Sequence, residues 1–155
     1  MKEFIILLIS ATAGSIGFTM LFRLRLKMLP WATLGAALDA VVYLICIRDT
    51  PILFLSVIAG AIVSTIYSDI MSRRLKVPVT LLLLPSIVPL VPGGSLYYTM
   101  SCIISIDKEG IFKYGLDTIQ AAVGIAVGIL IASLFTQEYR QFKNICINHK
   151  ENLGR

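Results

Sequence analysis

Leu84-Pro85-Ser86-Ile87-Val88-Pro89-Leu90-Val91-Pro92-Gly93-Gly94-Ser95-Leu96-Tyr97-Tyr98-Thr99-Met100 is apolar at both ends and crowded with helix breakers between them. Pro89 and Pro92 each remove a backbone donor, and Gly93-Gly94 permit backbone angles that a helix interior does not use, so the sequence predicts a helix that breaks here. Ser95 is placed to cap a second half-helix, whose first N–H groups and positive dipole end would then face the break. Non-helical backbone at membrane depth is tolerated only where it is buried in protein or lines a wet cavity, and half-helix N-termini can hold anionic groups there. The expected ligand is a small molecule bearing a carboxylate, oriented by the hydroxyls of Tyr97, Tyr98 and Thr99. Pro89, Pro92, Gly93, Gly94, Ser95, Tyr97 and Tyr98 are accordingly the candidate substrate path. The alternative is a proline-kinked structural helix with interfacial tyrosines.

That membrane reading rests on the whole composition. Of 155 residues, 57% are hydrophobic and 15% charged, with a mean hydropathy of +0.84. A soluble domain carries about 45–50% apolar and roughly 25% charged residues, so both departures point to an integral membrane protein. Since about 20 apolar residues span a bilayer, five or six crossings would use the chain and leave no room for a separate soluble domain. A cytosolic enzyme is excluded on this ground. The apolar runs fall at about 4–22, 28–47, 51–71, 77–105 and 115–135, with Pro51 suited to a first turn and a polar connection over 106–114. The expected fold is all-α: a polytopic membrane helical bundle forming a single transmembrane domain over 1–155. It has about five transmembrane helices, the fourth broken at the Pro-Gly-Gly motif, and a polar cytoplasmic tail over 136–155.

Ala11-Thr12-Ala13 resembles a signal-peptidase site, but the apolar run continues to Phe22 and its basic cluster follows rather than precedes it, so the first helix is expected to be retained. With five spans, ten basic residues fall on one side: Arg23, Arg25, Lys27, Arg73, Arg74, Lys76, Arg140, Lys143, Lys150 and Arg155. Only Lys2, Arg48, Lys108 and Lys113 fall on the other. The positive-inside rule then puts the N-terminus outside and the C-terminus in the cytoplasm. A re-entrant fourth segment would move the tail outside and weaken this asymmetry. The net charge of +5 sits in short runs between apolar stretches, which argues against nucleic acid as a partner. Three cysteines without Cys-x-x-Cys spacing and one tail histidine, His149, give no zinc pattern, so no metal is expected. A Cys46–Cys102 disulfide on the outer side stays open.

Helices in lipid associate where small residues let their backbones approach. Ser56, Gly60, Ser64 and Ser68 form such a stripe in the third run, and Gly124, Gly128 and Ala132 in the last. The second run carries Ala32, Ala36 and Ala40, and the first Ala13 and Gly17. Gly60, Ser64, Gly124 and Gly128 are the expected packing positions. Against this background two acids stand out as proton-coupling candidates. Asp39 lies mid-span on the face that carries Gly35 and Tyr43, where an ionised carboxylate costs about 2.5–3.5 kcal/mol on insertion scales. Its alternative role is a neutral or hydrogen-bonded residue that serves helix packing. Asp69 sits one turn before Arg73, and a local ion pair accounts for it. Gln120 could line a polar path or simply meet water at the interface.

No nucleotide-binding, zinc-protease or Ser/Cys–His constellation is present, and Asp39 and Asp69 fall in opposite halves of the bilayer, too far apart for a catalytic dyad. The chain is therefore not expected to be an enzyme and needs no cofactor. The run Pro89-Leu90-Val91-Pro92-Gly93-Gly94-Ser95-Leu96-Tyr97 is similar to a motif of the threonine/serine exporter family. Asp69 before Arg73-Arg74-Leu75-Lys76, then Pro78, and AVGIAVGI over 122–129 strengthen the likeness. More narrowly the chain resembles the small-subunit type, equivalent to the C-terminal membrane half of the fused exporters. The similarity covers about 60–134, and the first two runs match only in hydropathy and at Leu29-Pro30-Trp31, so it says nothing of Asp39. The resemblance implies a proton-driven secondary exporter of threonine and serine in the cytoplasmic membrane. It also implies a larger partner subunit with five predicted spans and a soluble N-terminal segment. A dicarboxylate such as succinate is the alternative substrate, and a non-transporting scaffold subunit the alternative role.

Overall fold

A computed structural model describes residues 2–22, 28–49 and 52–153. The basic cluster Arg23, Arg25 and Lys27, as well as Pro51 and Arg155, lie outside the described residues, as do the side chains of Arg140, Lys143, Cys146, His149 and Lys150. Among the described residues these elements follow in order: α1 (Lys2–Leu21), α2 (Leu29–Asp49), α3 (Leu53–Leu75), α4 (Val79–Ile87), the 3-10 turn Val88–Leu90, α5 (Gly93–Ile104) and α6 (Lys108–Leu153). No strand occurs among the described residues. The chain is a polytopic helical bundle of a membrane protein. Helices α2, α3 and α6 are each long and apolar enough to cross a bilayer, and α4 with its 3-10 turn and α5, bent by 56°, make a fourth crossing if taken as one. The apolar stretch of α1 runs over Leu8–Leu21.

Helices α2, α3 and α4 meet in layers. Met28, Ala32, Met71 and Leu82 form a buried apolar layer, with Trp31, Tyr67, Leu75, Val77 and Leu81 packed against it. One turn along α2, Gly35 lies against Ser86 of α4 and Tyr67 of α3. Tyr67 donates its hydroxyl to the Trp31 carbonyl at 2.9 Å, tying α3 to α2. Ser86 spends its hydroxyl on Leu82 O at 2.7 Å, so this polar atom is satisfied inside its own helix. The turn from α3 into α4 is closed by Lys76 in the left-handed region, φ 54°, with Val77 N–H bonded to Ser72 O at 3.0 Å. Pro78 then stops any continuation.

The last helix lies against the third at Gly124 and Gly128. A Cβ on Gly128 would stand 2.6 Å from Ala61 Cβ and 2.9 Å from Ile58 O, and one on Gly124 3.1 Å from Val57. Only hydrogen in place of a side chain permits this approach. Gly60 differs from expectation: the space over it is taken by Asp39 of α2 and Leu90 of the 3-10 turn, not by another helix backbone.

The expected polar link over 106–114 shrinks. Asp107 accepts Gly110 N–H on its side chain at 3.3 Å and Ile111 N–H on its carbonyl at 3.0 Å, which starts α6 at Lys108. The tight turn before it places Ile106 at φ 59°. The helix then runs on through the expected tail to Leu153, because no glycine or proline occurs between Gly128 and Gly154. Its 46 residues give a length of about 69 Å at roughly 1.5 Å per residue, more than twice a hydrocarbon core of about 30 Å. Cys102, beside Gly110, is a free thiol, so the Cys46–Cys102 bridge does not form.

Replacing Gly128 by Val forces α3 and α6 apart, and overpacking of this kind costs about 1–3 kcal/mol. The expected result is a thermal unfolding midpoint in detergent several degrees below that of the parent. Gly17→Ala, whose Cβ meets nothing within 4 Å, serves as the matched control and leaves the midpoint unchanged or raises it.

Candidate functional site: a buried aspartate at the helix break

The helix breaks where the prolines require it. Val91 is extended, φ −62° and ψ 123°, and Pro92 follows at φ −77° and ψ 57°. Proline supplies no N–H, so the carbonyls of Pro85 and Val88 receive no helical bond from residues 89 and 92; Val88 O instead accepts Val91 N–H at 3.2 Å. The glycines behave otherwise than expected. Neither Gly93 nor Gly94 has positive φ; both lie in the first turn of α5, which Pro92 rather than Ser95 precedes. Ser95 therefore does not cap the half-helix, and its hydroxyl donates back to Pro92 O at 3.2 Å.

Tyr97 and Tyr98 also point elsewhere. Tyr98 stacks on Tyr114 of α6 with ring centroids 5.2 Å apart, and Tyr97 meets Tyr98 edge-on at 5.7 Å. Thr99 gives its hydroxyl to Ser95 O at 2.7 Å. No residue of α5 is buried, and a Cβ on Gly93 or Gly94 would meet nothing within 4 Å. The second half of the broken helix thus lies along α6, away from the interior.

The first half is what the break delivers to the interior. Val88, Pro89 and Leu90 line a cavity of about 370 Å³ together with Ala40 and Tyr43 of α2 and Ser10, Ala11 and Gly14 of α1. Pro92, Gly93, Gly94, Ser95, Tyr97 and Tyr98 are not among its lining residues. Cavities of roughly 300–1,000 Å³ are the size that small ligands occupy.

Asp39 stands next to this cavity, wholly buried at 0% exposure. A methyl group on Gly60 would lie 2.7 Å from Asp39 Oδ1 and 3.2 and 3.3 Å from the two Leu90 methyls, so carboxylate and leucine meet over the same glycine. Leu90 also lines the cavity, so the same side chain stands at the cavity wall and over the glycine that Asp39 covers, which makes it the expected partition between the two. Neither carboxylate oxygen has a hydrogen-bond partner among the described residues, and the same holds for the buried hydroxyls of Ser15, Ser64 and Ser68. Unpaired buried polar atoms cost about 1–3 kcal/mol each, so five of them in one small bundle require a reason. Of the alternative expected for Asp39, a neutral or hydrogen-bonded residue serving helix packing, the hydrogen bond is absent among the described residues, and a neutral carboxyl is compatible with this burial.

Asp69 is different in kind. It is paired with Arg73 Nη2 at 2.5 Å, one turn away on α3 as the spacing implies, and Arg73 Nε adds a second bond at 3.1 Å. Gln120 is exposed. Spacing does not single out Ser15, which is wholly buried one residue beyond Gly14 of α1.

A family model described as Threonine/Serine exporter, ThrE, matches residues 7–135, which takes in α1, the cavity, the break and the apolar part of α6. No curated protein and no solved structure matches the chain.

A buried carboxyl screened by one leucine is open to chemical test. Dicyclohexylcarbodiimide, an apolar carboxyl reagent, is expected to label Asp39 slowly in intact membranes and several-fold faster in Leu90→Ala, as read by mass spectrometry of the α2 peptide. Equal rates in the two proteins would show that Leu90 is not the partition.

Proposed function

The chain belongs to the threonine/serine exporter family, and we propose that it is a membrane subunit of a proton-coupled secondary exporter of threonine and serine in which Asp39 carries the coupled proton. The observation that carries this reading is the fully buried, unpartnered Asp39 carboxylate beside a ligand-sized cavity at a broken helix. A carboxylate with no compensating charge or hydrogen bond is unfavourable when ionised in an apolar bundle, and taking up a proton removes that cost. Release and uptake on opposite sides of the membrane would convert this difference into work. Asp69 is the weaker candidate, because Arg73 already compensates its charge.

The proposed partner is a larger subunit with five spans and a soluble N-terminal segment. In support, α5 exposes Tyr97, Met100 and Ile104 at 70%, 62% and 83%, an apolar face that α6 leaves uncovered. The proposed orientation is N-terminus outside and C-terminus cytoplasmic, in the plasma membrane. Arg73, Arg74 and Lys76 at the α3–α4 turn would then face the cytoplasm and Lys108 and Lys113 the outside.

Two experiments follow. In native membrane vesicles, Asp39→Asn is expected to lose proton-gradient-driven threonine movement by at least about tenfold at every pH, whereas Asp69→Asn retains most of it; an unchanged pH profile in Asp39→Asn would remove Asp39 from the coupling. In whole cells, a membrane-impermeant maleimide should label Lys108→Cys directly and Lys76→Cys only after permeabilisation, in a Cys46→Ser, Cys102→Ser, Cys146→Ser background. The reverse pattern would invert the orientation.

A further inference from the structure

Five buried polar atoms lack partners: both oxygens of Asp39 and the hydroxyls of Ser15, Ser64 and Ser68. One proton satisfies one carboxylate oxygen and leaves the other four as they are. Ser64 and Ser68 follow Gly60 by one and two turns on one face of α3, and Gly60 is the residue on which Asp39 rests. Ser15 stands beside Gly14, a cavity-lining residue of α1. Three different helices thus turn unused hydrogen-bonding capacity inward, more than proton carriage requires.

Threonine and serine carry an α-ammonium group with three N–H donors and a positive charge. From this surplus we infer that Asp39 is the acceptor for the substrate's ammonium group, and that proton and amino acid compete for the one carboxylate. The inference rests on the exporter reading above and extends it. In the exchange the ammonium–carboxylate ion pair separates, the proton bonds to a carboxylate oxygen, and the amino acid leaves with its own charge unchanged. The proton neutralises the buried carboxylate and the ammonium group compensates it as an ion pair while the substrate's own carboxylate turns away from Asp39, and the two occupants cannot be accommodated together. Coupling is then obligatory without a second site. Leu90, which touches the space beside Asp39 and lines the cavity, must swing aside to admit the ammonium group.

Among the described residues of the elements around Asp39, no other charge competes for this role. Helix α4 and the 3-10 turn contain no titratable side chain, nor does α1 between residues 6 and 22. On α3, Asp69 and Arg73 pair with each other, and Asp69 is nine residues from Gly60, about 13 Å along the helix. Tyr67 is committed to Trp31 O, and Tyr43, one turn beyond Asp39 on α2, lines the cavity.

The test is counterflow in native membrane vesicles at equal pH on both sides, from acid to neutral. It compares L-threonine with 2,3-dihydroxybutanoate, which keeps the carboxylate and side-chain hydroxyl but has a hydroxyl in place of the ammonium. Competition predicts that the half-saturating threonine concentration rises as the medium is acidified, approaching about tenfold per pH unit, while the analogue is weak and shows no such rise. Asp39→Asn should lose threonine counterflow, and Asp39→Glu should recover it with a displaced pH profile. A threonine half-saturation that is flat with pH, or equal pH dependence for both compounds, overturns the competition. If Asp39→Asn then still abolishes gradient-driven movement, proton carriage by Asp39 stands alone. If Asp39→Asn keeps the wild-type gradient-driven profile, the proton reading falls as well.

Discussion

A carboxylate in the middle of an apolar helix has three ways to lower its energy: a counter-charge, hydrogen-bond donors or a proton. The bundle supplies Asp39 with neither of the first two, although it plainly can do so elsewhere. Asp69 has Arg73 one turn away, and Ser86, Thr19 and Thr65 bond to carbonyls of their own helices. The contrast matters because satisfying Asp39 would take only one serine or asparagine on α3. Instead its neighbour is Gly60, which gives room and no donor. The packing around Asp39 therefore keeps the carboxylate dependent on something that arrives.

Small residues serve two purposes in this bundle. Gly124 and Gly128 bring α6 against Val57, Ile58 and Ala61 of α3, a seam with no spare volume. Next to that seam on α3, Gly60 makes room for the side chains of Asp39 and Leu90 rather than for a helix backbone. One face of α3 is thus locked to α6 while the neighbouring face receives side chains from α2 and the 3-10 turn. The same four-residue spacing of small side chains marks both faces, so spacing alone cannot tell a packing surface from a site; the difference lies in what the neighbouring helix contributes.

This explains which features the sequence discloses. Hydropathy and length suffice for the helices, because apolar backbone in lipid has hardly any alternative to intra-helical hydrogen bonding. Pro89 and Pro92 suffice for the break, since a missing N–H acts locally. The role of Gly93-Gly94 was not legible: tolerance of unusual angles does not compel them, and both residues are helical. Ser95, Tyr97 and Tyr98 were drawn to the break by proximity in sequence, but the 56° bend carries them away along α6. The approach of Asp39 and Leu90 to the same glycine, Gly60, depends on how α2, α3 and the 3-10 turn stack, which no local pattern encodes. Charged residues at 107–109 read as a loop because their polarity outweighed the capping signal of Asp107.

The position of Leu90 follows from the same break. In a continuous α-helix the backbone at residue 90 would be held by bonds along the helix in both directions. Here residues 88–90 form a single 3-10 turn, flanked by a proline at 92 and containing one at 89, with Val91 N–H on Val88 O as its closing bond. A short 3-10 segment has poorer hydrogen-bond geometry than an α-helix and often marks a hinge. The side chain that separates Asp39 from the cavity is therefore mounted on the least continuous stretch of backbone around it, whereas Gly60 beneath is on α3, clamped to α6 through Gly124 and Gly128. Movement of the partition against a fixed floor requires this division. Without the prolines, Leu90 would be as rigidly placed as the glycine it covers.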